Sequence, residues 1–207
     1  AGIGNMSRWL PARHKLILSE ADPQLLPHLK LEVAAKFGQN PNVRVAALDL
    51  SGDWSSPLMN ENLDTVVSFN VLEHVEDDRH AYKTLWELLA TSQAPGPKRL
   101  VTFVPAHSWL YGSMDKSYQH FRRYSHQELI ALSRDVAPGA KIYYRYFNVV
   151  GLPGWLAMGR ALKKREIGLK AVMNFERLCP WVRAADDFVH EKLRLLFGQS
   201  ILIVLSR

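Results

Sequence analysis

The sequence predicts an α/β fold, in which a doubly wound and mostly parallel sheet carries helices on both faces. Two observations predict it. Short apolar segments typical of strands alternate with amphipathic segments typical of helices. A glycine-containing turn, Ala1–Asn5, opens the chain, and acidic or amide side chains follow the early strands. The carboxyl ends of parallel strands meet at one edge of such a sheet, so a ligand site is expected there.

The predicted strands are short apolar runs bounded by polar side chains, prolines or turn residues. With 207 residues, of which 47% are hydrophobic, the chain can build one sizeable core around them. The runs are Lys15–Ser19, Val43–Leu48, Asp64–Phe69, Arg99–Val104 and Lys141–Phe147.

Helix starts are predicted where side chains can cap free backbone amides. Asp22 and Pro23 suit a first turn, because aspartate accepts from free amides and proline needs no donor there. Ser125 and Glu128 form a capping box that starts a helix ending near Val136. Helices are also expected over 77–91 and from Met6, directly behind the glycine turn.

Candidate ligand contacts lie in the early turns. Gly2 and Gly4 allow the backbone to bend tightly and approach a ligand closely. Glu20 follows the first predicted strand, where its carboxylate could accept both hydroxyl protons of a ribose. Asp49 follows the next strand, where it could read an adenine edge together with the amide of Leu50.

These residues resemble the class I S-adenosylmethionine-dependent methyltransferases. The resemblance covers residues 1 to about 150 and resumes at Gly198–Val204, which is similar to the family's closing strand. Its most specific element, Leu72–Val75, is typical of a subgroup of small-molecule, quinone-type and cell-envelope enzymes. The resemblance implies a Rossmann-like fold and S-adenosyl-L-methionine as cofactor. The cofactor contacts that it implies are Gly2, Ile3, Gly4, Glu20, Ala21, Asp49, Leu50, Asn70, Val71 and Leu72.

The resemblance also implies a domain plan. In the family a central first strand precedes the glycine turn, so we expect an N-terminally truncated core from which that strand is missing. This core spans 1–150. A helical insertion over 151–197 is expected to cover the acceptor pocket, and 198–207 forms the closing strand of the core.

A polar and aromatic loop after the strand Arg99–Val104 is expected to select the methyl acceptor. Methyl transfer needs the acceptor atom held about 3 Å from the methyl carbon, and a base only if a proton must leave. For a hydroxyl acceptor, the candidate catalytic residues are His107, Tyr111 and His120.

The same loop carries Arg122, Arg123 and Tyr124, which we expect on the acceptor side, because arginine suits a carboxylate or phosphate. An alternative role is structural. Asp115 could pair with either arginine and so fix the loop.

Composition limits the other binding partners. The net charge of +6 favours acidic partners, but the basic residues are not interleaved with aromatic ones as in a nucleic-acid surface. The single cysteine, Cys179, fits a cytoplasmic protein. No metal site is expected, because His107, His120 and His126 are spaced too loosely and lack cysteine partners.

A peripheral contact with the inner membrane surface is predicted for residues 151–165. Apolar side chains that could insert shallowly alternate there with basic ones that could meet lipid phosphates. Alternatively, the apolar residues only pack against the sheet. The apolar residues are Trp155, Leu156, Met158 and Leu162, and the basic ones are Arg160, Lys163, Lys164 and Arg165.

The sequence therefore predicts methyl transfer to a small, lipid-linked or sugar-linked acceptor, with oxygen favoured over carbon. Two alternatives stay open. One is a binding module of the same fold without catalysis. The other, a nicotinamide-dependent oxidoreductase, is disfavoured because Ser7 stands where its fingerprint needs a third glycine.

Overall fold

The structure, a computed structural model, describes residues 1–10, 14–52, 55, 58–163, 169–193 and 195–207. The chain divides into two compact units, Ala1–Leu58 and Met59–Arg207, each containing strands and helices. The predicted α/β fold is confirmed. The boundary between the units lies after Leu58, and the domain plan of 1–150, 151–197 and 198–207 stays a prediction.

The first unit is built on a parallel pair of strands. Strand β1 runs beside β2, with Leu16 opposite Val43 and Glu20 opposite Ala47. Both strands therefore end at the same edge. The elements are a 3₁₀ helix at Ser7–Trp9, β1 (Leu16–Glu20), α1 (Leu26–Phe37) and β2 (Val43–Ala47).

One helix start in this unit differs from the prediction and one agrees with it. The helix expected from Met6 is only a 3₁₀ turn, and Leu10 after it is extended. Pro11 follows Leu10 in the sequence, and a proline sterically disfavours helical geometry at the residue before it. Asp22 caps the first turn as predicted, because its carboxylate accepts from the amide of Gln24 at 2.8 Å and its carbonyl accepts from the amide of Leu26 at 3.2 Å. The regular helix α1 begins at Leu26, since Pro27 has no N–H with which to bond the preceding turn.

The second unit contains a four-stranded sheet in the order β3-β4-β6-β5. Strands β3 and β4 are parallel, and β6 is antiparallel to both of its neighbours. Its strands are β3 (Thr65–Phe69), β4 (Arg99–Pro105), β5 (Lys141–Phe147) and β6 (Ser200–Ser206). Its helices are α2 (Asp78–Ala90), α3 (Ser113–Ser117), α4 (His126–Val136), α5 (Gly151–Trp155) and α6 (Leu169–Asp187).

Short helical turns connect these elements. They are 3₁₀ helices at Leu72–His74 and Ser108–Leu110 and π-helical turns at Leu156–Ala161 and Phe188–Lys192. The predicted capping box is present, since the Ser125 hydroxyl accepts from the amide of Glu128 at 3.2 Å while the Glu128 carboxylate accepts from the amide of Ser125 at 2.8 Å.

The core of the second unit centres on β6. Its residues Ile201, Ile203 and Leu205 are fully buried, alternating with half-buried residues. Strand β6 also fixes the end of β4, because the amide of Ala106 donates to the carbonyl of Gln199 at 2.8 Å. The loops that follow β3 and β4 are therefore anchored to a rigid sheet.

The segment 151–197 begins by packing on the loop after β4. Trp155 is buried, and its indole lies 4.5 Å from the Arg123 guanidinium. The Ser113 hydroxyl donates to the carbonyl of Gly159 at 2.8 Å. That the whole segment covers an acceptor pocket stays a prediction. Within the described part of the chain, no helix is both long and apolar enough to span a bilayer.

Candidate functional site

The glycine turn of the first unit has the conformation that its sequence requires. Gly2 and Gly4 have φ angles of 58° and 92°, where side chains other than glycine are strained. A Cβ on Gly4 would also lie 3.3 Å from the side chains of Leu29 and Glu32. A tight turn without side chains is what close approach to a ligand needs, although no contact between a ligand and Gly2, Ile3 or Gly4 is described.

Glu20 ends β1 and ties it to this turn. Its carboxylate accepts from the amides of Gly2 at 2.5 Å, Ala21 at 3.0 Å and Asp22 at 2.9 Å. Burial opposes ionisation, but the hydrogen bonds from the backbone amides of Asp22 and Gly2 lower the pKa of Glu20. The side chain is thus an ionised acceptor.

Asp49 follows β2 at the same edge of the sheet, since the amide of Leu48 donates to the carbonyl of Glu20 at 3.1 Å. One carboxylate oxygen accepts from the amide and the hydroxyl of Ser51, at 2.9 and 2.7 Å, and these bonds lower the pKa of Asp49. Its side chain is exposed. Two ionised carboxylates at neighbouring strand ends form an acceptor set that fits the hydroxyl and amino donors of a nucleoside.

In the second unit, the turn after β3 starts at Asn70. Its φ is 49°, in the left-handed region, and its amide donates to the carbonyl of Phe103 at 2.8 Å. Asn70 is exposed and Val71 is half-buried, whereas the Leu72 side chain is fully buried in the core. Of the three, Leu72 can offer a ligand only its backbone.

The turn after β4 holds His107 in a similar left-handed conformation, with φ 63°. Its ring stacks on Tyr146, with centroids 5.2 Å apart, and its amide donates to the carbonyl of Tyr124 at 2.8 Å. Burial and the charge of Arg123 lower the pKa of His107, so its imidazole is held neutral and able to accept a proton. Strained residues at two neighbouring strand ends are typical of functional sites.

The other two predicted catalytic residues are linked to each other. The Tyr111 hydroxyl donates to the carbonyl of His120 at 2.7 Å, so it holds the loop in place. His120 Nδ1 lies 3.0 Å from a carboxylate oxygen of Asp115, and its ring meets that of His74 edge to face at 4.7 Å. The two histidines therefore have different partners: the ring of His107 stacks on Tyr146, whereas the ring of His120 bonds to the Asp115 carboxylate.

The loop is fixed by the ion pair that the sequence left as an alternative. Arg123 Nε donates to Asp115 at 2.7 Å, and both side chains are fully buried. Arg123 also donates to the carbonyl of Ala106 at 3.1 Å. Burial opposes ionisation of Asp115, but His120 and Arg123 lower its pKa, so the pair is charged. Arg123 already has a partner, and its predicted role toward an acceptor stays a prediction.

Arg122 and Tyr124 both contact Asp78 at the start of α2. Arg122 pairs with its carboxylate at 2.6 Å, and the Tyr124 hydroxyl donates to it at 2.8 Å. Burial and the Asp78 charge raise the pKa of Tyr124 far above its ordinary value, so the phenol stays protonated. Arg122, Tyr124 and Tyr111 line an open cleft of about 550 Å³ with α2 and α4 residues.

Sequence reasoning missed Glu73, which is fully buried beside the candidate residues. Burial raises the pKa of its carboxyl to about 7, although the charges of His120 and Arg123 act in the opposite direction. Glu73, His74 and His120 each contribute one atom that could bind a metal, and these three atoms lie within 4.8 Å of one another. The adjacent Glu73-His74 pair was the available signal, but His120 joins it only through folding.

No family model matches the sequence, and no curated protein sequence is significantly similar to it. Similarity is found among solved structures. An S-adenosylmethionine-dependent methyltransferase from Mesorhizobium loti is 13% identical, with a TM-score of 0.58 over 100% of this chain and 87% of that chain. Phosphoethanolamine N-methyltransferase 2 of Haemonchus contortus, in complex with S-adenosyl-L-methionine, is 11% identical, with a TM-score of 0.56 over 99% of this chain and 46% of that one.

This chain has the fold of S-adenosylmethionine-dependent methyltransferases. Identities this low establish the fold alone. The [4+2]-cyclase SpnF has the fold too, being 13% identical with a TM-score of 0.52 over 99% of this chain and 71% of that chain. A fold supports several reactions, so the reaction must be argued from the residues of the site.

Proposed function

We propose that this protein transfers a methyl group from S-adenosyl-L-methionine to an oxygen atom of a small, lipid-linked or sugar-linked acceptor. One observation carries the proposal: in a fold shared with S-adenosylmethionine-dependent methyltransferases, the ionised carboxylates of Glu20 and Asp49 stand at neighbouring ends of parallel strands. Ligands of such sheets bind at the carboxyl ends of the strands.

The residues of the first unit would hold the nucleoside part of the cofactor. Glu20 would accept from the ribose hydroxyls and Asp49 from the adenine amino group, while the glycine turn lets the backbone approach closely. Asn70 and Val71 are proposed to face the amino-acid end. The bound cofactor supplies an electrophilic methyl group.

The residues of the second unit would prepare the acceptor. His107 has a neutral imidazole, and its Nε2 is buried without a hydrogen-bond partner among the described residues. It can therefore take the proton that a hydroxyl acceptor loses. In the cleft that Tyr124 also lines, Arg122 keeps guanidinium donors beyond the nitrogen paired with Asp78, and these would bind an acidic group on the acceptor.

The test is thermal stabilisation of the full chain by S-adenosylhomocysteine and, separately, by NADH. A ligand that binds the native state raises the melting temperature, and 100 Kd of ligand adds about 2.7 kcal/mol. We expect a shift with S-adenosylhomocysteine only. A shift with NADH alone would replace the proposal by the oxidoreductase alternative.

Catalysis is tested by native mass spectrometry of metabolites retained by the purified protein, followed by a methyl-transfer assay on them. His107→Gln should lower turnover at least tenfold and leave S-adenosylhomocysteine affinity unchanged. His80→Ala, an exposed histidine on α2, is the matched control. Binding of S-adenosylhomocysteine without turnover of any retained acceptor would favour the non-catalytic module.

A contact of residues 151–165 with an anionic membrane from the cytoplasmic side also stays a proposal. Leu156 and Leu162 are exposed and could insert, whereas Trp155 is buried and cannot do so in this conformation. Lys164 and Arg165 lie outside the described residues. Salt-sensitive co-sedimentation with anionic vesicles, reduced by a Leu156→Ser and Leu162→Ser double variant, is expected. Unchanged co-sedimentation would exclude insertion of these two leucines.

A further inference from the structure

Three side chains with metal-binding chemistry meet beside the end of β3. Glu73 and His74 lie in the 3₁₀ turn that follows this strand, and His120 follows α3. One potential ligand atom from each lies within 4.8 Å of the other two. The cluster joins a local pair with one residue from a distant loop.

The carboxylate of Glu73 is the observation that calls for a ligand. Its side chain is fully buried, and neither of its oxygens is hydrogen-bonded to another described residue. Buried carboxylates are almost always paired or coordinate a metal, because an unpaired one has lost its hydration without replacement. A cation between Glu73 and the two imidazoles would provide the missing partner.

Hydrogen bonds to residues outside the cluster orient the rings of both histidines. His120 Nδ1 bonds to the carboxylate of Asp115 at 3.0 Å, so Nε2 is the ring nitrogen that remains for a ligand. His74 has a hydrogen bond to the backbone of Gln119. Metal-binding histidines usually donate their second ring nitrogen to a carboxylate or a carbonyl in this way, which fixes the tautomer and the ring orientation.

We propose that Glu73, His74 and His120 bind a divalent transition-metal ion. Two imidazole nitrogens and one carboxylate oxygen are a ligand set for zinc and for other first-row metals. In a tetrahedral zinc site with bonds of about 2.1 Å, ligand atoms lie roughly 3.4 Å apart, so small side-chain rotations close the site.

Three protein ligands leave a coordination position open. An oxygen atom bound there loses its proton more readily, because the metal stabilises the anion. The ion would thus bind the hydroxyl of the acceptor, and the proton of that hydroxyl would pass to His107, the base proposed above. This role rests on the proposed function, whereas the binding of the metal does not.

The experiment is calorimetric titration of zinc chloride into tag-free full chain that has been stripped with a chelator. We expect one ion per chain. Glu73→Gln and His74→Ala should each weaken binding at least tenfold, because each removes one ligand. Glu73→Gln keeps the shape of the side chain, and His74 is exposed, so both variants are expected to fold.

His80→Ala is the matched control, because His80 is an exposed histidine on α2 outside the cluster. It should bind zinc as the unaltered protein does. Absence of zinc binding, affinity unchanged in both ligand variants, or an equal loss in His80→Ala would each overturn the proposal.

The titration contains neither cofactor nor acceptor, so its outcome is independent of methyl transfer. Thermal stabilisation by S-adenosylhomocysteine is measured on the same samples. Zinc binding without that stabilisation would leave the metal site standing and remove the proposed function. Stabilisation without zinc binding would leave the proposed function standing and remove the metal site.

Discussion

The two units of the molecule differ in how deeply their strands are buried. In the first unit, only the central residue of β1, Leu18, is buried, and no residue of β2 is. In the second unit, three alternating residues of β6 are fully buried between β4 and β5. Since buried apolar surface is the main source of stability, the second unit should carry most of the free energy of folding.

The units also differ in how they hold their carboxylates. In the first unit, Glu20 and Asp49 accept from groups of their own neighbouring turns, where donors from a ligand can compete. In the second unit, Asp115 is locked to a buried arginine, and Glu73 is buried without a described partner. Changes to Glu20 and Asp49 should therefore affect ligand binding, and loss of the cation paired with Asp115 should affect stability.

The largest expected effect is that of Arg123→Ala. It leaves Asp115 as a buried charge without its cation, which typically costs about 3–5 kcal/mol. Arg122→Ala is the matched control, because its pair with Asp78 is partly exposed and contributes about 1 kcal/mol or less. Urea unfolding followed by tryptophan fluorescence measures both. Equal, small losses would show that the buried pair does not stabilise the loop.

The burial contrast is tested by Leu205→Ala in β6 and Leu18→Ala in β1. Leu205 is fully buried in a strand enclosed on both sides, so its truncation should cost about 3 kcal/mol. Leu18 is flanked by half-buried positions, and its truncation should cost roughly 2 kcal/mol. The same unfolding experiment compares them. A larger loss for Leu18→Ala would place the dominant core in the first unit.

The buried Glu73 makes stability depend on pH. Its pKa of about 7 lies above the unfolded value of 4.5, so the native state binds the proton more tightly. The contribution of Glu73 to stability is therefore fully present below pH 4.5 and is lost as pH rises through 7, by on the order of 2 kcal/mol between pH 5 and pH 8. In chelator-treated protein, Glu73→Gln should flatten this slope. An unchanged slope would mean that Glu73 does not titrate in this range.

The smallest effect on stability is expected for Asp49→Ala. Asp49 is exposed at the end of β2, so the free energy of unfolding should change by about 0.5 kcal/mol or less. Loss of its charge-assisted hydrogen bond should weaken S-adenosylhomocysteine binding about tenfold, or roughly 1.5 kcal/mol. Calorimetry checks the affinity. Unchanged affinity together with lowered stability would show that Asp49 supports the fold and does not bind the ligand.

The sequence by itself determined the elements whose causes are local. Alternating apolar residues predict β5 over Lys141–Phe147, and a hydroxyl and a carboxylate three residues apart predict the start of α4. The same reasoning failed at Met6, where the restriction that Pro11 imposes on Leu10 opposes the helix. Strand ends were predictable too, and with them the polar residues Glu20, Asp49 and Asn70.

Only the tertiary structure decided which distant side chains meet. A pair between Asp115 and one of the two arginines could be predicted, but not that Arg123 would be the partner or that the pair would be buried under Trp155. Glu73 becomes an unpaired buried acid, and His120 its neighbour, because the turn after β3 and the loop after β4 start from adjacent parallel strands. Local periodicity carries no information on such contacts, since they depend on strand order and on the path of long loops.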